Sequence, residues 1–146
     1  MSLLYGLLYR IGFTPWDTDE PPVELQAIAE GAGALPPGRV LDLGCGTGRD
    51  TVYLAGRGWQ VTALDNVERA LQQGRARAAA NNVTVEWVNG DVSRLLQLGL
   101  QPGYTLVFDR GCYHGLRQRE REAYGVAVTA LASPGATLLM WAMHPN

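Results

Sequence analysis

The run RVLDLGCGTGRDTVYLAGRG, residues 39–58, constrains this chain more than any other stretch. RVLDL is a short β-branched and leucine run closed by glycine, and RDTVYLA reads as a helix stopped at Gly56-Arg57-Gly58. Strand, tight glycine turn and helix therefore follow one another without a linker. The same alternation continues. WQVTALD is a second strand. NVERALQQGRARAAANN is a helix with Asn66 as its N-cap and Asn81-Asn82 as its stop, and VTVEWVNGD is a third strand.

SRLLQLGL is a short helical stretch, Pro102-Gly103 a turn, and YTLVFDRG a fourth strand whose apolar run implies burial on both faces. LRQREREAYGVAVTALA is a helix with a solvated charged face. Pro134-Gly135 breaks the chain, and ATLLMWAMH is a fifth strand. Trp59, Trp87 and Trp141 are core candidates. Upstream, MSLLYGLLYRIGF forms a packing helix with Leu3/Leu7 and Leu4/Leu8 on one stripe. Pro21-Pro22 open a second helix that ends at Gly31 or Gly33. The fold class predicted is α/β, a Rossmann-like three-layer sandwich on a mostly parallel sheet with right-handed crossovers. Ligands in such sheets bind at the carboxyl ends of the strands. Those ends carry Asp42 to Gly48, Asp65, Asp91, Asp109 to His114, and His144.

A chain of 146 residues fits one domain. Its net charge of −2 gives no footprint for nucleic acid or an acidic membrane, and Arg10 interrupts the apolar N-terminus well short of a spanning helix. The expected partner is a small molecule. Cys45 and Cys112 have no metal-ligand spacing, so no metal is expected, and they suit a reducing, cytoplasmic setting.

A glycine-rich turn lets backbone approach a ligand and points free N–H groups at it. Gly44, Gly46 and Gly48 form G-x-G-x-G, and Arg49 stands where the dinucleotide fingerprint wants a third small residue. A pyrophosphate is thereby disfavoured. Asp65, 65 − 44 = 21 positions after the first glycine, is placed to accept both ribose hydroxyls, and Asn89-Gly90-Asp91 to bond an adenine edge. Adenosine without a diphosphate fits these positions.

With LDLGCGTG, ALD, GDV and LVFD, the sequence over about residues 38–144 resembles the class I S-adenosylmethionine-dependent methyltransferases. The resemblance implies S-adenosylmethionine as cofactor, with Gly44, Gly46 and Gly48 flanking its methionine part and Asp42 near its ammonium group. It implies Asp65 at the ribose and Asp91 with Val92 at the adenine, extends the cofactor set to Cys45 and Asn66, and places Asp109 beside the methionine tail. FTPWDTDEPPVEL before the glycine run looks like the thiopurine and tellurite-resistance branch, in which Trp16 matches a tryptophan that closes the cofactor site. Against the family pattern the chain is short of a last helix and two strands. ATLLMWAMH is then expected at an open sheet edge, so that the chain is either a fragment or covered there by another copy.

The domain division expected is one S-adenosylmethionine-binding domain over 1–146, with 1–37 a helical cap and 38–146 the core. His114 is the candidate general base, with Asp109 beside it as the second candidate catalytic residue, because an imidazole titrates near neutrality. Arg110, Tyr113 and His114 are the candidate substrate residues; Arg110 suits an anionic acceptor, while Tyr113 and Trp16 suit a wall against the sulfonium. The function expected is methyl transfer to a sulfur, selenium or tellurium, oxygen or nitrogen nucleophile of a small molecule. Two alternatives stand beside it: a non-catalytic S-adenosylmethionine-binding or assembly module, and an NAD-dependent oxidoreductase.

Overall fold

The apolar runs become five parallel strands: β1 (Arg39–Leu43), β2 (Gln60–Asp65), β3 (Glu86–Asn89), β4 (Tyr104–Arg110) and β5 (Ala132–Trp141). The computed structural model describes residues 2–12, 15 and 19–143. Trp16 and His144 lie outside the described residues. Helices α1 (Ser2–Ile11), α2 (Val23–Ala29), α3 (Arg49–Ala55), α4 (Glu68–Ala80) and α5 (Gln118–Leu131) accompany the strands. The strand order is β3-β2-β1-β4-β5. Leu43 pairs with Leu64 on one side and with Asp109 on the other, so the carboxyl ends of β1, β2 and β4 stand level.

Alternation along the strands sends side chains to two opposite cores. Leu41, Leu43, Leu64 and Val107 pack with Tyr124, Ala127, Val128 and Leu131 of α5. Val40, Val61, Ala63, Leu106 and Phe108 pack with Leu25 of α2, Leu54 of α3 and Trp59. Most of these side chains are fully buried, each worth about 1.5–3 kcal/mol relative to exposure. That double burial is why β1 and β4 read as unbroken apolar runs. Among the described residues no helix is long and apolar enough to cross a membrane, and no cluster of metal-ligating side chains occurs.

Several local expectations are corrected. Asn66 is not the N-cap of α4: Val67 is, and Asp65 Oδ1 accepts the Val67 N–H at 2.9 Å, so the acid at the strand end outreaches the amide. SRLLQLGL forms only a 3₁₀ helix, Val92–Gln97, kinked at Arg94, whose φ of −126° is not helical. α2 ends at Ala29, ahead of either glycine, because Glu30 is already extended. Pro134-Gly135 does not break the chain. It lies inside β5, which pairs with β4 through a register shift between Tyr104 and Leu106, the kind of irregularity that tolerates proline in a sheet. α1 forms against α4, yet Leu3, Leu4 and Leu7 are exposed, so the expected packing stripe faces outward. Trp59 is buried just before β2 rather than within it, while Trp87 and Trp141 are half-buried on β3 and β5. Tyr53 on α3 and Glu30 beyond α2 share a hydrogen bond that ties the two helices.

Candidate active site

A cavity of about 700 Å³ opens over the level ends of β1, β2 and β4. Its size suits a small cofactor together with an acceptor. The turn after β1 forms its floor, and Gly44, Gly46 and Gly48 have φ of 72°, 56° and 77°, a region that side chains rarely adopt. Gly48 is held closest: a Cβ there would stand 2.6 Å from the Trp87 ring and 3.2 Å from the Gly74 backbone of α4. Arg77 of α4 donates from Nε to the Thr47 carbonyl at 3.1 Å, fixing the same turn from behind.

The amides of this turn correct one expectation. Gly44 and Cys45 both donate to the Leu64 carbonyl, Gly46 to Asp65 Oδ2 at 2.9 Å, and Gly48 to the Cys45 carbonyl. These four N–H groups close the loop on itself and on β2 instead of pointing at a ligand. A pyrophosphate cradle needs such donors turned outward. Here the glycines supply a bare surface, which fits an uncharged thioether or sulfonium chain and not a diphosphate.

The acids lie around that surface. Asp42 is 2% exposed, lines the cavity, and accepts from Thr51 Oγ1 at 2.5 Å. Burial, reinforced by Asp50, Asp65 and Asp109 and only partly offset by Thr51, pushes its carboxyl up to about 8. A cation against it would restore its charge, which is the property expected of an ammonium-binding acid. Asp65 spends one lone pair of each oxygen on Gly46 and Val67, keeping acceptor capacity toward the cavity it lines; burial raises its pKa despite those bonds. Asp91 Oδ1 takes the Ser93 amide and hydroxyl, a cap that fixes the carboxylate at the rim beside Gly90 and Val92. Asn66 also lines the cavity. The residues present thus fit the cofactor's adenosine, ribose and methionine parts.

Beyond β4 the predicted residues separate. Asp109 is 0% exposed and does not line the cavity. Its Oδ1 accepts the Cys112 amide at 2.7 Å, and Oδ2 accepts the Tyr113 amide at 3.2 Å and the Tyr124 hydroxyl at 2.7 Å. It shapes the loop that follows, with its pKa raised by burial. Tyr113 turns away as well, edge-on to Tyr124 with ring centroids 5.2 Å apart. Arg110 and His114 do line the cavity. Arg110 pairs with Asp50 at 3.1 Å, joining the β4 loop to the first turn of α3 across the opening. His114 Nδ1 is buried without a hydrogen-bond partner among the described residues. A buried nitrogen left without a partner beside a cavity is available to a polar group that enters it.

Cys45 and Cys112 line the cavity with their thiols held up by burial first and neighbouring acids second, so neither is a ready thiolate nucleophile. Sequence reasoning missed Asp50, Thr51, Arg117 and Glu120. The structure brings Asp50, Arg117 and Glu120 to the cavity wall and Thr51 to Asp42. For Asp50 and Thr51 a signal existed, since both fall in the first turn of the helix that the glycines start.

A parallel sheet with this strand order, a self-bonded glycine turn after β1 and acids at the ends of β1 and β2 are the architecture of the class I S-adenosylmethionine-dependent methyltransferase family. Residues 40–135 match the family model described as a methyltransferase domain, and the chain belongs to that family. It is 30% identical over 127 residues to the 2-heptyl-1-hydroxyquinolin-4(1H)-one methyltransferase of Mycobacteroides abscessus, covering 86% of this chain and 54% of that protein. A solved structure described under the conversion of a disulfide bond into a thioacetal group during echinomycin biosynthesis aligns with TM-score 0.83 at 32% identity. That alignment covers 96% of this chain and 60% of the other. The Burkholderia thailandensis 1,6-didemethyltoxoflavin-N1-methyltransferase, solved with 1,6-didemethyltoxoflavin and S-adenosylhomocysteine bound, aligns with TM-score 0.79 at 27% identity over 95% of this chain and 59% of that one. The chain thus spans only a little over half the length of these relatives.

Proposed function

We propose that this chain, acting as one domain over residues 1–146, transfers the methyl group of S-adenosylmethionine to a small-molecule acceptor. The observation carrying the reading is the cavity in which buried Asp42, half-buried Asp65 and Asp91 at the exposed rim surround a turn whose three glycine amides are bonded within the protein. When bound, the cofactor supplies an electrophilic methyl on sulfur. Asp42 holds the ammonium end, Asp65 the ribose hydroxyls, and Asp91 with Val92 the adenine, leaving Gly44 to Gly48 and Cys45 against the methionine. Asn66 borders the adenosine.

Alignment of acceptor, methyl and sulfur supplies several kcal/mol of rate enhancement on the order of 7 or more in favourable systems. Arg110 orients an anionic or hydrogen-bonding acceptor. His114 takes the acceptor's proton where the nucleophile is an oxygen or nitrogen acid; a thiol or selenol, already partly anionic near neutrality, needs less help. Asp109 acts through the loop it anchors, without touching the acceptor. The relatives whose names or descriptions mention a hydroxyquinolinone, N1 of 1,6-didemethyltoxoflavin and a thioacetal support a heteroatom acceptor, and the likeness to the thiopurine and tellurite branch puts a soft or aromatic one first. β5 has β4 on one side and no strand on the other among the described residues, and Leu138 on it is 49% exposed. A second copy covering that edge belongs to the same reading.

Calorimetry with S-adenosylmethionine, S-adenosylhomocysteine and NAD, followed by labelled-methyl transfer to thiols, phenols, amines and halides, tests the proposal. Binding of the first two and transfer to one acceptor class is the expected result. NAD binding without adenosylmethionine binding overturns it, and cofactor binding with silence across the panel turns the assignment to a non-catalytic binding module.

A further inference from the structure

Thr51 has no place in the functional scheme above, although it is the hydrogen-bond partner of the most perturbed acid in the cavity. It sits in the first turn of α3, is 0% exposed, and reaches nine residues back to a strand end. A helical threonine ordinarily returns its hydroxyl to the carbonyl of the preceding turn. Here Oγ1 stands 2.5 Å from Asp42 Oδ2, and both groups are withdrawn from water.

What surrounds Asp42 makes that hydroxyl matter. The groups facing it are Asp50 on α3, Asp65 ending β2 and Asp109 on β4, all of like charge, and all oppose ionisation together with burial. The arginines of the cavity wall are each engaged with another acid, Arg110 with Asp50, Arg49 with Asp19 and Arg117 with Glu120. Thr51 is the neighbour that favours the carboxylate, and by occupying Oδ2 it also fixes the plane of the group.

Resting on the reading that Asp42 receives the cofactor's ammonium, we propose that Thr51 is a positioning residue: its hydroxyl holds Asp42 Oδ2 so that the carboxylate is presented, ionised, to that ammonium. The hydroxyl donates, the carboxylate accepts, and no bond is made or broken.

The test compares Thr51→Val, which keeps the shape and removes the donor, with Thr51→Ser, which keeps the donor. Affinity for S-adenosylhomocysteine is measured by calorimetry from pH 6 to 9, and the Asp42 carboxyl is titrated by carbon NMR in the ligand-free protein. The mutant-to-wild-type ratio of Kd cancels the ligand's own titration. Thr51→Val is expected to bind about tenfold more weakly at neutral pH, the loss of one hydrogen bond to a charged group, with the deficit shrinking toward pH 9 as Asp42 ionises unaided. Its Asp42 titration moves to higher pH, and Thr51→Ser restores both. A Thr51→Val deficit that is absent or the same at every pH, or a Thr51→Ser protein no better than Thr51→Val, overturns the proposal. Asp42→Asn separates the two layers. If Asp42→Asn binds as wild type, the ammonium reading itself falls; if it binds weakly while Thr51→Val is normal, only the role of Thr51 falls.

Discussion

Replacing Gly74 by alanine pits two physical effects of opposite sign against each other. Gly74 sits inside α4, where alanine is favoured over glycine by about 1 kcal/mol of helix propensity. Yet an added Cβ would stand 2.6 Å from two carbons of the Trp87 ring, against 3.4 Å or more for ordinary contact. The same ring edge also meets Gly48, where a Cβ would stand 2.6 Å from it and 3.2 Å from the Gly74 Cα, so ring edge and both glycines share one tight contact. Overpacking of a well-filled site costs about 1–3 kcal/mol, and a rigid aromatic edge seated on two adjoining backbones belongs at the upper end. The expected net effect is therefore destabilisation by about 2 kcal/mol, roughly an 8 °C fall in Tm for a chain of this size. Thermal unfolding by circular dichroism measures it. Trp87→Phe removes the ring atoms that clash, so in the Gly74→Ala background it should return at least about 1 kcal/mol, a coupling readable from the double-mutant cycle. A Gly74→Ala protein melting at or above the wild-type temperature, or strict additivity with Trp87→Phe, would refute the claim that this contact sets the spacing of α4, β3 and the glycine turn.

Further outcomes follow from the buried polar groups. The Asp42 carboxyl is raised from 3.8 to about 8, so the folded chain retains a proton that the unfolded chain releases; its contribution to stability is full below about pH 4, declines across the interval and is gone above about pH 8. Asp42→Asn, a mimic of the protonated form, should match wild type only below about pH 4 and exceed it increasingly from there to pH 9 in urea unfolding, and parallel profiles would contradict the account. Tyr124→Phe strips a hydroxyl donor from the fully buried Asp109 carboxylate and should cost about 1–3 kcal/mol, with equal stability ruling out Asp109 as the anchor of its loop. Once an oxygen or nitrogen acceptor is in hand, His114→Ala should lower kcat on the order of 10²-fold while leaving the cofactor Kd unchanged. Unchanged kcat would remove the imidazole from proton transfer.

The sheet was legible because its strands are apolar at both parities. Val40 and Leu41 are adjacent residues serving opposite cores, and a run of that kind between glycines or prolines has few other uses. Asp42 and Asp65 were equally accessible, since each lies at the carboxyl end of a strand and strand ends are level in a parallel sheet, and Asp91 follows two residues after β3. What could not be read was where side chains turn after the strands stop. Asp109 and Tyr113 are close in sequence to Arg110 and His114, but the loop coils so that the first two are consumed by Tyr124 and the backbone while the second two face the cavity. No periodicity describes a six-residue loop. The glycine amides failed for a related reason: composition tells that a backbone is bare, not where its N–H groups go, and that was decided by Leu64 and Asp65 on the neighbouring strand. Glu120 lies on α5, and which face of that helix meets the cavity depends on a rotation that pattern alone does not resolve.

The pairing of β1 with β4 has a consequence for how the molecule matures. A Cβ on Gly44 would stand 3.3 Å from Cys112, and Leu43 lies beside Asp109, yet the whole of β2, α4 and β3 is synthesised between them. Such non-local pairing is slow to form, because the intervening loop must be closed before any contact is gained. The cavity is complete only once β4 lies beside β1, so a ligand that binds the finished junction stabilises that junction against opening: at one hundred times its Kd it deepens the native well by about 2.7 kcal/mol.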